Sequence, residues 1–526
     1  MNGIKEEQKP ETPPGPFSMD DFIKANGTVL RNKSGAGSII NLRGTNLGSW
    51  LSMEGWIGPL HTGSIPHTGW TATASSTATG QSVDAVFDYN LSTRWSTGLN
   101  QTGNEWFKVD MGTINYFDQL AFDAGDYNQD YARKYKVQVS KDDVVWTDLE
   151  SGDGLKWINL NFGALEARYI RIYQTGTSST NTWSIAEVNA YMDDDFSVRS
   201  TLNFRFGEDA ADKLWDSYQE AWIQESDFDN IKGMGMNMVR IPIYWKELMH
   251  DNGTMKAEAF KQLDWAVQLC TKKRIYIILD LHGAPGGVDG YITSGQALKN
   301  ELWTSPLYQQ MTVNIWKAIA THYKGNPTIA VYDLLNEPVS SGLPGALATK
   351  QMYDMLYKAV KPIDPDHVIG MGAFYNFDFL GSPESNGWTN VIYQGHYYNT
   401  DFDNWGSQSG FIDWALGDLD SHRKMWNVPV YAGEYNFWNH LDLWKKFMGG
   451  LNNNNISWSN WTYKNMTTGK NWGFYQGNTN AIPDMNHDDY ETIKSKWSKF
   501  STSNFSTNTN LINTVKEYTG AKPVGN

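Results

Sequence analysis

The sequence predicts an α/β protein: a (β/α)8 barrel with an all-β sandwich inserted after the first barrel strand. Three observations predict it. IAVYDLLNEP at 329–338 opens as a nearly unbroken apolar run and ends in Asn336, Glu337 and Pro338. Such runs are strands covered on both faces, and the C-terminal ends of parallel strands are where a barrel keeps its active site. Seven further segments of this form recur at βα spacing, and eight parallel strands close into a barrel. Residues 67–192 switch to short alternating segments separated by turn residues, the pattern of a β-sandwich.

Residues 1–17 are polar and proline-rich and read as a disordered leader. Between Thr28 and Ile40 two short apolar runs flank NKSGAGS, a hairpin. INLRGTNLGSW (40–50) is the first barrel strand, and in the following LSMEGWIGPL Glu54 stands among Trp50, Met53 and Trp56. The insert contains WFKVDMG, FDQLAFDAG, KYKVQVS, ARYIRIYQTG and IAEVNAYM, and helical texture returns at Ser197. The barrel resumes with MNMVRIPIYW (236–245), RIYIILDLHG (274–283), IAVYDLLNEP, VIGMGAF (368–374), VIYQGHYY (391–398), PVYAGEYN (429–436) and ISWSNWTYK (456–464). Helical segments such as AFKQLDWAVQLCTKK separate them. The barrel domain is therefore expected at 18–66 plus 193–526.

Composition narrows the function. A chain of 526 residues exceeds one ordinary core. A net charge of −15, from 43 Lys+Arg and 58 Asp+Glu, disfavours nucleic acid and anionic membranes, which need basic patches, and fits an uncharged substrate. The single Cys270 excludes an intramolecular disulfide and a multi-thiolate zinc site, and reads as a small buried apolar side chain. No apolar run reaches the roughly 18 residues of a membrane span. The start lacks an apolar signal core, which leaves a cytoplasmic protein or a mature exported one. The 24 Trp and 27 Tyr, beside much Asn, Ser, Thr and Gly, suit the CH and OH sides of a pyranose, although large barrels bury many aromatics regardless.

Strand ends carry Asn46, Arg240, His282, Glu337, His396, Tyr398, Glu434 and Trp461, which describes one polar pocket at the top of the barrel. Carboxyls on strands four and seven face each other across the mouth. That suits glycosidic cleavage with retention, in which the two groups sit about 5–5.5 Å apart. Glu337 is the expected acid/base, with Asn336 beside it to hold a sugar 2-OH. Glu434 is the expected nucleophile, kept ionised by Arg240 and hydrogen-bonded by Tyr398. His282 and His396 are expected to bind hydroxyls or orient the carboxyls. The competing reading is a metal site of two histidines and a carboxylate, and no HExxH-type spacing supports it.

RGTNLGSWLSMEGW, WIQESDF, IKGMGMNMVRIPIYW, LDLHGAPG, DLLNEP, GHYY and YAGEYN resemble glycoside hydrolase family five of clan A, and within it the exo-β-1,3-glucanase branch. The resemblance implies an extracellular retaining hydrolase of exo-glucanase or β-glucosidase type, acting on an oligo- or polysaccharide or glycoside with no catalytic cofactor. It implies Glu337 as acid/base, Glu434 as nucleophile, and Arg240, His282, Asn336, His396, Tyr398 and Trp461 in the sugar site. Glu54 matches a carboxylate that grips the non-reducing terminal glucose. Tyr291, in GGVDGYITSG, falls where the branch carries a Phe of an aromatic clamp, and Phe402 is a candidate second clamp residue. The branch also includes glucosidases of disaccharide glycosides and glycolipids, so a β-glycosidase for bulky aglycones is the alternative. A non-catalytic glycan-binding protein is the third reading.

The insert resembles a discoidin (coagulation factor type C) domain, the fold of family thirty-two carbohydrate-binding modules, through TATASSTATGQSVDAVFDYNLSTRWSTG, RKYKVQVSKDDVVW and ARYIRIYQ. The resemblance implies a glycan face on variable loops, with Tyr89, Tyr127, Arg133 and Trp183 as candidates. It also implies a possible structural Ca²⁺ at Asp88, Thr93 and Glu187, whose oxygens suit that ion. The competing reading is that Asp88 and Asn90 simply close a turn. Rooted in the first βα loop, the insert is expected to form the acceptor side of the cleft or to block one end.

Overall fold

The computed structural model describes residues 15–520 apart from 61–63, 193, 298, 341, 374–376, 468 and 478–481, and omits the side chains of 342–345. Residues 1–14 of the expected leader lie outside the described residues. Phe17 does not belong to a leader: its amide donates to the Thr271 carbonyl at 3.0 Å, and its ring lies 4.3 Å from that of Tyr276.

Eight parallel strands close the barrel: β1 (Arg43–Asn46), β2 (Met238–Tyr244), β3 (Tyr276–Gly283), β4 (Ile329–Asp333), β5 (Val368–Ala373), β6 (Val391–Tyr397), β7 (Val430–Tyr435) and β8 (Ser457–Asn460). β1 pairs with both β2 and β8, which completes the ring. Every residue of β2, β3, β4 and β7 is buried, because helices cover the outside and side chains fill the inside. The lower interior is apolar, built from Leu42, Met238, Ile278, Val331 and Tyr431. An antiparallel hairpin of Lys24–Asn26 and Val29–Arg31 closes it from below through Ile23 and Leu30. The expected hairpin about NKSGAGS is present as one antiparallel bridge, Arg31 to Ile39. Its extra partner Lys24–Asn26 has no alternation in KAN to reveal it.

The upper interior is polar. Asp280 on β3 sits in register with Asp333 on β4, Arg240 on β2 with Asn46 on β1, and Gln394 on β6 with Tyr431 on β7. Such a layer, supplied by many strands, supports a site above it.

The insert leaves the loop after β1 and returns before helix α1 (Asp195–Phe206). Its main sheet has six strands, including two long ones, Glu105–Asp123 and Trp157–Gln174, which pair antiparallel. A second, two-stranded sheet (Trp95–Asn100 with Thr182–Ile185) lies apart from it in pairing. Trp95, Phe107, Val137 and Ile170 are buried in the insert's interior. Its buried apolar residues join those of the barrel in one cluster through Met192, Val198 and Leu202.

Candidate active site

Arg240 is the hub. It is fully buried and reaches carboxylates on three strands: Asp280 at 3.0 Å, Asp333 at 3.0 Å and Glu434 at 2.8 Å. It also donates to the side-chain carbonyls of Asn46 and Asn336, at 3.0 and 2.9 Å. With its carbonyl taken, Asn336 presents its amide N–H groups, which suits donation to a sugar hydroxyl.

Glu434 ends β7 between two donors. Arg240 Nη1 binds Oε1 and the Tyr398 hydroxyl binds Oε2, both at 2.8 Å. Burial raises its pKa, and the positive charge of Arg240 pulls against that. Burial and the neighbouring carboxylates hold Tyr398 in its protonated, donating form. The preceding Gly433 is required by space: a Cβ there would stand 2.0 Å from Gln394 Oε1.

Glu337 follows β4 with φ +38°, in the left-handed region that non-glycine residues rarely adopt. Strain of this kind persists where surrounding structure enforces it. Burial pushes its pKa up to about 7, against the pull of His282 and Arg240. Its Oε1 lies 2.7 Å from His396 Nδ1. The network decides where that proton sits. Gln394 donates its amide to both oxygens of Asp333, so its carbonyl faces His396 Nε2 at 3.0 Å. Nε2 must therefore carry a hydrogen. Burial lowers the His396 pKa to about 4, so the ring is neutral and Nδ1 is an acceptor. An acceptor there stabilises the protonated form of Glu337.

Glu337, His396 and Glu434 bring single ligand-type atoms within 4.8 Å of one another. One oxygen of each carboxylate thus lies within 4.8 Å of the other, which fits the shorter retaining spacing of about 5–5.5 Å better than the roughly 6.5–9.5 Å of inverting enzymes. The trio also has the outline of a cation site. Against that use, Glu434 is already held by Arg240 and Tyr398, and a metal ion would have to sit close to the guanidinium.

Glu54 and His282 form the other wall. Trp56 Nε1 donates to Glu54 Oε2 at 2.5 Å, and Oε1 lies 3.4 Å from His282 Nε2. His282 Nδ1 meets Asp280 at 2.7 Å. Burial opposes the charge on His282, but Asp280 and Glu54 overcome it and raise its pKa to about 10. Trp461 stacks on that ring at 5.3 Å. Aromatic contacts then run from Trp56 to Trp472, Trp438 and Phe402, with centroids 4.5–4.8 Å apart. Tyr291 stands apart: its ring is exposed, and its backbone amide donates to Asp289.

Sequence reasoning missed Asp280, Asp333 and Gln394, which hold the first layer in place. A signal existed: an ionisable residue inside each apolar run, ILDLHG and VYDLLNEP. It also missed Trp438 and Trp472.

In the insert, Asp88, Thr93 and Glu187 do come together. Thr93 Oγ1 donates to Asp88 at 2.7 Å, and the Asn90 amide donates to Asp88 and Glu187, both at 2.9 Å. Glu187 Oε2 is buried without a hydrogen-bond partner, and its oxygen chemistry would suit a hard cation held with Asp88 and Thr93. Of the candidate glycan residues, Trp183 does not lie on a surface. Trp183 is buried against Trp95, a packing role, because its strand pairs with that of Trp95. Tyr127 lies under Arg94 and Arg133 over Tyr131. Tyr89 is exposed and stacks on His67.

A closed (β/α)8 barrel with two glutamates at the exits of β4 and β7 defines the class of paired-carboxylate glycoside hydrolases. The family model for cellulase (glycosyl hydrolase family 5) matches residues 202–467, and the chain belongs to that family. The F5/8 type C domain model matches residues 71–188. A beta-xylosidase of Phanerodontia chrysosporium is 30% identical over 219 residues, 40% of this chain and 45% of that protein. A probable glucan 1,3-beta-glucosidase A of Neosartorya fischeri is 29% identical over 244 residues, 45% of this chain and 57% of that protein. The chain spans about half the length of the curated relatives it matches. A solved family 32 module of C. perfringens NanJ, in complex with galactose, is 21% identical with TM-score 0.22, covering 24% of this chain and 96% of that one. No helix among the described residues is long and apolar enough to cross a membrane.

The site sets a pH dependence. With Glu337 in the expected acid role it must be protonated to assist a poor leaving group, and kcat/KM is then expected to fall as pH rises through about 7. The acidic limb, where Glu434 gains a proton, is expected above the ordinary carboxylate range, because burial raises that group too. A pH–rate profile measures both limbs.

Proposed function

We propose that this protein is a retaining, exo-acting β-glucosidase or glucanase that releases terminal glucose from β-linked oligo- or polysaccharides outside the cell. The observation that carries the reading is the pair of carboxyls within 4.8 Å, one gripped by two donors and the other facing a neutral acceptor ring. In the first step a Glu434 oxygen attacks the anomeric carbon, the glycosidic C–O bond breaks, and Glu337 gives its proton to the departing oxygen. In the second step Glu337, now a carboxylate, takes a proton from water as that water attacks the same carbon and frees Glu434. Two inversions leave a β product. In this reading Asn336 donates to the 2-OH, and His282 with Glu54 grips hydroxyls of the terminal sugar. Relatives named as glucan 1,3-beta-glucosidases support glucose as that sugar.

First-formed products from laminarin, a rutinoside and a glucosylceramide test this. β-Glucose from laminarin, identified by NMR before mutarotation, is expected. Release of intact disaccharide, or action on bulky aglycones alone, would move the protein to the alternative reading.

We further propose that Asp88, Thr93 and Glu187 hold a structural Ca²⁺. Burial and Asp88 raise the Glu187 pKa to about 7, so without a cation folding stability falls as pH rises from 4.5 to about 7 and is flat above. Added Ca²⁺ at a hundredfold over its Kd is expected to stabilise the insert by about 2.7 kcal/mol. Thermal melts with and without chelator, repeated on Glu187→Gln, check this; identical melts in all conditions would remove the ion from the account.

A further inference from the structure

We propose that Gln119 and Asp194 are positioning residues through which the inserted β-domain sets loop 286–297, which lies beside the proposed acid/base Glu337 and so on the leaving-group side in that reading. The proposal rests on the glycosidase reading above.

The link starts in the insert. The pairing of its two long strands shifts register between Phe117 and Gln119, with the extra residues 162–164 on the partner strand, and Asp118 and Gln119 are both buried there. Gln119 Nε2 donates to Asp194 Oδ2 at 2.8 Å and to Ser197 Oγ at 2.6 Å. Asp194 is fully buried and caps α1, accepting from the Ser197 amide at 2.7 Å. The same Oδ2 accepts from the amide of Ala297 at 2.6 Å, in the loop after β3. Two residues beyond Asp194, the Phe196 amide donates to the Gly295 carbonyl at 2.8 Å.

That loop carries Asp289 and Tyr291, and its other end is tied to the acid/base. The Val339 amide, two residues past Glu337, donates to the Val288 carbonyl at 3.0 Å. A second tie runs from Asp195, which accepts from the amide of Met53, next to Glu54, at 2.8 Å. The first residues after the insert therefore hold two substrate loops, and Asp194 takes its own alignment partly from Gln119. Since the apolar core is also continuous across the junction, the insert is fixed to the barrel and not tethered by a free linker. Gln119 touches no reacting atom.

Gln119→Met keeps side-chain length and removes the donor. For this variant kcat/KM on laminaribiose, whose leaving sugar must pass the loop, is expected to fall about ten- to a hundredfold, with β-glucosyl fluoride affected far less. Active-site titration corrects both values for active fraction. Hydrogen exchange of amides in 286–297 is expected to quicken about tenfold while the barrel strands stay unchanged. Asp194→Asn, which turns an acceptor into a donor facing Gln119 and Ala297, is the second variant should the first not accumulate. Equal losses on the two substrates, or unchanged exchange at 286–297, would overturn the proposal. A wild-type protein that hydrolyses neither substrate removes the exo-glucosidase reading, and exchange at 286–297 then decides the coupling alone.

Discussion

Glu434→Gln is expected to lower kcat on an activated aryl β-glucoside by at least about 10⁴-fold, with the fold intact. The amide fills the same space and still accepts from Tyr398 or Arg240, but it cannot attack the anomeric carbon. The loss should fall on the chemical step, since Asn336, His282 and Glu54 still bind the sugar. Glu434→Ala opens a space on the attacking face. A small anion such as azide is expected to enter it, restore turnover and yield the α-glycosyl azide by a single inversion. Steady-state rates and product NMR measure both effects. Residual activity near the parent level would remove Glu434 from its role.

Arg240→Met is expected to cost about 3–5 kcal/mol of folding stability as well as activity. The guanidinium is fully buried and compensates Asp280, Asp333 and Glu434 together. Methionine preserves most of the volume, so the cost comes from leaving three carboxyls in a low-dielectric interior with one positive neighbour, His282, at their edge. Those carboxyls are expected to take up protons, which shifts the optimum of any remaining activity. Denaturant midpoints of parent and variant check the energy. An unchanged midpoint would mean the hub is not a structural keystone.

The pattern of the sequence reaches far into this molecule. Most of the eight strands show as apolar runs because covered strands are apolar, although RGTN and SWSN are not, and Glu337 and Glu434 show because each breaks such a run at its exit. Tyr398 was legible for the same reason, whereas Arg240 interrupts its run MVRIPIY from within the strand. The supporting layer was not. Asp333 and Gln394 acquire meaning from β6 and β7 partners some 60 to 100 residues away, and that pairing follows from barrel closure and register, not from local spacing. Trp183 shows the opposite failure: the resemblance to carbohydrate-binding modules offered it for a loop-borne glycan face, but it lies on a strand and is buried against Trp95. The Gln119 to Asp194 contact joins residues 75 positions apart in two domains, and nothing in the alternation of FDQLAFDAG points to it.

The most direct test of the central claim is to trap the glycosyl-enzyme. A 2-fluoro-glucosyl fluoride slows both steps by destabilising the oxocarbenium-like transition state, and its good leaving group keeps the first step the faster. Incubation followed by peptide mass spectrometry is expected to show one fluoroglucosyl group, esterified to Glu434 in YAGEYN. A label on Glu337, or catalytic turnover with no covalent species and an α-anomer as first product, would contradict the double-displacement account.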